Sequence, residues 1–136
     1  MKGTVIRVVI DSGVLVEDAK GKESSREVMD IVRGNPWIIF IASLPLLDVA
    51  QKNIEINLGE IMAQKWREDI ERICEIVDHA EGDHPALASA YVGNAQHIIS
   101  LDERLTSAKG GVSIRARVET SVKKPDAFVK LFGSFT

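Results

Sequence analysis

Residues 7–16 read RVVIDSGVLV, and they place a carboxylate, Asp11, at the end of a nearly unbroken apolar run. This feature constrains the fold more than any other. The run at residues 4–10, TVIRVVI, is β-branched on most positions, as expected of a central strand covered on both faces. A carboxylate is rarely carried into such a place unless it is paired or bound to a metal. Asp followed by Ser and Gly is also ordinary turn chemistry, so Asp11 has two readings at this point, a turn former and a site residue.

The rest of the chain alternates strands with helices. Residues 19–23 read as a polar loop. In SSRE, Ser24 and Glu27 have capping-box spacing ahead of a helix with Val28, Ile31 and Val32 on one face. Residues 37–42, WIIFIA, form a second buried strand, after which Ser43 and Pro45 open a helix. Residues 46–80 are expected to be mostly helical, broken near Gly59, because Met62, Trp66, Ile70, Ile73 and Val77 recur at helical spacing. A further helix starts near Asp83 and Pro85 and turns Leu87, Ala88 and Tyr91 inward. Residues 97–101, HIISL, give a third strand, residues 112–118 an alternating edge strand, and Pro125 opens a closing helix. Such alternation implies parallel strands and right-handed crossovers: an α/β fold, a three-layer α/β/α sandwich with about four to five parallel strands. At 136 residues, without a linker-like stretch, one domain over 1–136 is expected.

Composition narrows the function. A formal net charge of −3 lacks the basic footprint of a protein that binds duplex DNA by charge alone. The single cysteine, Cys74, falls in the helical stretch and excludes a disulfide framework or a cysteine-based zinc cluster. No apolar run approaches a membrane span of about 18 residues, and no signal-peptide core is present, so a cytoplasmic protein is expected.

Asp11 ends the first strand and Asp102 the third, in HIISLDERL. In an open parallel sheet the carboxyl ends of the strands form the ligand crevice, at the point where strand order reverses. If the first and third strands are neighbours, both acids face that crevice. Asp83 enters it from the helix leading to the third strand, and Asp48 from the helix after the second. Four converging carboxylates repel one another unless a hard cation joins them, and oxygen-only ligands suit magnesium or manganese better than zinc. No histidine pair has zinc spacing, although His84, beside Asp83, can reach the crevice. Taken singly, each acid also has an ordinary structural reading: an N-cap, a helix-dipole partner or a loop start.

VVIDSGVLV, DHPALASAYVGNAQHIISLDERL and KKPDAFVKLF together resemble the PIN domain family, magnesium-dependent nucleases that include the toxins of VapBC-type toxin–antitoxin pairs. One departure stands out. The family carries a Glu in the helix after the second strand, where this chain reads SLPLLDVA, so Asp48 lies one position from the place that Val49 takes. The resemblance implies a metal-dependent endoribonuclease acting on single-stranded RNA. Asp11, Asp83 and Asp102 would hold Mg2+ or Mn2+, helped by Asp48, and Ser12 and Arg104 would contact substrate. Lys20 and Lys22 are further candidates for phosphate contact. It also implies an antitoxin partner, and the helix around Trp66 offers a homodimer face. The altered position near Asp48 leaves a second reading, a catalytically weakened PIN-like module that binds protein or RNA. A receiver-like or phosphatase-like domain is disfavoured, because DSG lacks the acidic neighbours that either would need.

Overall fold

The computed structural model describes residues 5–80, 84–106 and 121–133. The described elements run β1 (Ile6–Ile10), α1 (Ser12–Ala19), α2 (Glu23–Gly34), β2 (Ile38–Ser43), α3 (Leu44–Leu58), α4 (Glu60–Glu71), β3 (Cys74–Val77), α5 (Pro85–Gly93), β4 (His97–Ile99), α6 (Glu103–Thr106), β5 (Ser121–Lys123) and α7 (Pro125–Phe132).

The strands form one sheet in the order β3-β2-β1-β4-β5, with every neighbouring pair parallel. The chain winds outward from β1 to β2 and β3, then returns past β1 to lay down β4 and β5. Parallel strands are joined by right-handed crossovers as a rule, so the α1–α4 connections and α5, laid down on opposite sides of that reversal, cover opposite faces and make the three layers of the expected α/β fold. β1 lies at the centre, and Val8, Val9 and Ile10 are fully buried, as continuous β-branching predicts. The register pairs Val9 with Ile41 on one side and with Ile98 on the other. It also brings Ile10 beside Ile99, so β1 and β4 end together.

Local chemistry explains most boundaries. Asp11 caps α1, its side chain accepting from the Ser12 N–H, and Ser43 caps α3 by accepting from the Leu46 N–H. Gly59, at φ 93°, separates α3 from α4 where a side chain would be strained. α7 packs on α2, and Phe128 and Phe132 enter the common core.

Several expectations need correction. α2 begins at Glu23 with Lys22 as its cap and no side-chain capping bond, so Ser24 lies inside the first turn. Cys74 opens strand β3 and is not helical: the helix ends at Glu71, and residues 74–77 pair with β2. The expected inner face of the middle helix holds in part: Ile70 is buried and Trp66 and Val77 are partly buried against the core. Ala63 and Ile70 are the buried residues of α4, whereas Met62 and Ile73 are exposed. In α5 the inward face is Ala86, Ala88, Ser89 and Ala90, and Tyr91 points outward. The strand expected at 112–118 lies outside the described residues; the described neighbour of β4 is β5. Among the described residues no helix is long and apolar enough to cross a membrane.

Candidate functional site

At the carboxyl ends of β1 and β4 a cleft of about 340 Å³ is lined by Asp11, Ser12, Gly13, Val49, His84, Pro85, Leu101, Asp102 and Arg104. It lies where strand order reverses, the place that parallel topology designates for a ligand.

Asp11 is held from three directions. Its backbone N–H donates to the Ile99 carbonyl at 2.9 Å, continuing the β1–β4 ladder. Oδ1 accepts from the Ser12 N–H at 2.8 Å, and Oδ2 accepts from the Ser100 hydroxyl at 2.7 Å. Asp11 is 8% exposed and Ser100 fully buried, so this carboxylate is fixed in direction where it lines the cleft. The turn reading and the site reading are therefore compatible: one oxygen caps α1 while the group lines the cleft. Ser100 escaped the sequence reading. Its signal was a hydroxyl two residues before Asp102, at the end of an apolar strand.

Asp102 follows β4, and its backbone N–H donates to Ser100 Oγ at 3.0 Å, so one serine orients both acids. Its carboxylate is clasped by Arg104. Oδ1 accepts from the Arg104 backbone N–H at 2.9 Å and from Nε at 3.1 Å, and Oδ2 accepts from Nη2 at 2.8 Å. These bonds hold the Asp102 carboxyl below the usual carboxylate range and raise the guanidinium in turn. Arg104 itself projects into solvent, with 85% of its side chain exposed.

His84, one residue on from Asp83, is the N-cap of α5. Its Nδ1 accepts from the Ala86 N–H at 3.2 Å, which leaves Nε2 as the protonated nitrogen of the neutral ring.

Asp48 is not in this cleft. It faces away, 68% exposed, and pairs at 2.8 Å with Arg67, which also binds Gln51 and Glu71. The next residue, Val49, lines the cleft in its place. A helix turns about 100° per residue, so a carboxylate one position away presents another face. Lys20 and Lys22 are exposed and do not line the cleft; Lys20 lies 3.9 Å from Glu17. Asp83 lies outside the described residues. Among the described residues no three His, Cys, Asp or Glu side chains come together as a metal-holding group.

A second polar knot stands at the end of β2. The buried Ser43 hydroxyl meets His79 Nε2 at 2.8 Å and accepts from the Ser89 hydroxyl at 2.9 Å. It pins the segment after β3 to α5. Fully buried and bonded on both sides, Ser43 anchors these elements.

A family model described as a family of unknown function (DUF7384) matches residues 2–135. No curated protein matches the chain. Among solved structures it is similar to a chain in the crystal structure of VapBC2 from Rickettsia felis bound to a DNA fragment from their promoter, with a TM-score of 0.60 and 10% sequence identity. The likeness covers 88% of this chain and 98% of that one, and it establishes a shared fold.

Proposed function

The chain belongs to this family of unknown function, and for it we propose hydrolysis of phosphodiester bonds in single-stranded RNA, assisted by Mg2+ or Mn2+. The observation that carries the reading is the pairing of Asp11 and Asp102 on the rim of one cleft through Ser100.

The donor set fits a hard cation. Each Asp11 oxygen accepts one hydrogen bond from the protein and keeps a lone pair, and Asp102 adds two more carboxylate oxygens. Asp83 completes the set on the strength of the resemblance. When bound, the cation would lower the pKa of a water and offset charge on the leaving oxygen. The chain's own residues do the rest. Asp11, fixed by Ser12 and Ser100, orients whatever enters the cleft; His84 Nε2–H and the Ser12 hydroxyl donate to phosphate oxygens; Arg104 supplies a guanidinium that matches a phosphate edge. Val49 and Leu101 are each nearly half exposed and give bases an apolar wall, which favours a single strand whose bases are splayed.

The VapBC2 complex supports an antitoxin-like protein partner. The exposed Ile56, Ile61 and Met62 on α3 and α4 support contact with a second copy of this chain. An RNA substrate implies a cytoplasmic protein.

The test is cleavage of labelled single-stranded RNA by the purified protein with Mg2+, Mn2+ or a chelator. Cleavage is expected with either metal and none with chelator. Asp11→Asn should keep the fold and lose roughly 100-fold or more in rate. A folded wild type that cleaves nothing with either metal would overturn the reading. The outward turn of Asp48 and the presence of Val49 in the cleft favour a second reading in that case, a module that binds RNA or protein without cutting.

A further inference from the structure

Arg104 engages both oxygens of Asp102 through its side chain and one of them again through its backbone N–H. Such a clasp takes the lone pairs that a cation at Asp102 would need. It is nevertheless built to open. Arg104 lies two residues away in sequence, its side chain is 85% exposed, and among the described residues no other side chain donates to the Asp102 carboxylate. Ion pairs this exposed are weak and exchange readily. A guanidinium released from Asp102 stays at the cleft mouth, where its planar fork suits a phosphate as well as a carboxylate.

We propose that Arg104 is an exchanging counter-ion: it neutralises Asp102 in the metal-free cleft and transfers to a substrate phosphate when a divalent cation takes the carboxylate. The proposal rests on the reading of the cleft as a metal-dependent phosphodiester site. It adds a regulatory consequence. Metal binding frees Arg104 for phosphate, and phosphate draws Arg104 from the metal ligand, so each must tighten the other by the same factor. The cleft then holds metal weakly until a strand of nucleic acid is present.

The test measures binding and needs no turnover. Mn2+ is titrated into the full chain by calorimetry, alone and with a 2′-O-methyl phosphorothioate oligonucleotide whose integrity is checked afterwards. In the wild type the oligonucleotide should tighten Mn2+ binding. Arg104→Gln should bind Mn2+ alone about two- to fivefold more tightly than wild type, in keeping with loss of one exposed pair, and should lose the coupling. Arg104→Lys, which keeps the charge without the fork, should recover part of it. Unchanged or weaker Mn2+ binding by Arg104→Gln, or full coupling in that variant, overturns the exchange while leaving the metal site standing. Absence of Mn2+ binding in every protein overturns the exchange and the proposed function together. Arg104 is exposed, and circular dichroism will establish that each variant folds.

Discussion

The Ser100 hydroxyl donates to Asp11 Oδ2 at 2.7 Å across 89 positions of sequence, joining the ends of the two strands that flank the reversal in the sheet. Ser100 Oγ in turn accepts from the Asp102 backbone N–H, so this serine sets the aim of one acid and the position of the other. Ser100→Ala should leave Asp11 short of a donor in a buried position and cost about 1–3 kcal/mol of stability, measured by urea denaturation. RNA cleavage should fall with it, and Ser100→Thr should restore much of both. Stability within error of wild type for Ser100→Ala would count against the bond.

Gly93 closes α5 against the central sheet. A Cβ there would stand 2.7 Å from Cγ2 of Ile41 and 3.1 Å from its Cδ1. Ile41 is fully buried and stiff at χ1, so it has nowhere to go. Gly93→Ala should destabilise by about 1–3 kcal/mol. The clash should appear as coupling in a double-mutant cycle with Ile41→Ala, and simple additivity would show that the backbone accommodates the methyl group.

His97 gives the fold an acid-sensitive edge. Burial, reinforced by Lys123 at 3.3 Å, brings the imidazole down to about 4 from an ordinary 6.5. Between those values the unfolded chain binds a proton that the folded chain refuses. Stability must therefore fall as pH drops from 6.5 toward 4, and above 6.5 the group is neutral in both states and contributes no slope. Denaturation curves at stepped pH should show a steeper loss in this window for wild type than for His97→Gln. Parallel curves would discount the histidine.

Val49 gives the cleft an apolar side chain on α3. Val49→Glu should place an acid in the cleft and tighten Mn2+ binding by roughly tenfold, since ligand charge sets affinity at such sites. Asp48→Asn should leave Mn2+ binding unchanged and alter stability by less than about 1 kcal/mol, as for other exposed pairs. A loss of Mn2+ affinity in Asp48→Asn would show that the side chain reaches the cleft from its outward position.

The parts legible in sequence were those where one physical signal dominated. Continuous β-branching marked β1 and β2, and an acid directly after a strand marked Asp11 and Asp102. Strand β3 stayed hidden because four residues after a helix, Cys74–Val77, continue the helical spacing of Ile70 and Ile73, and pairing with β2 decides their state. Met62 misled for a related reason: α4 packs mainly on α3 through Ala63 and Ile70, with Trp66 partly buried beside them, which leaves Ile61 and Met62 outside. The side of the helix that Asp48 faces depends on α3's rotation about its axis, which a one-residue difference changes by about 100°. Ser100 was invisible because a serine at a strand end is ordinary until its neighbour across the sheet is known.

The placement of β1 at the centre has a consequence for synthesis. Asp11 is made about ninety residues before Ser100, Asp102 and Arg104, and β4 must dock beside β1 before they meet. A ribosome-bound chain that has emerged only through α5 carries Asp11 without Ser100, Asp102 or Arg104. The cleft is therefore a late product of folding, and whatever chemistry it performs is withheld from the nascent chain until the second half of the sheet has closed.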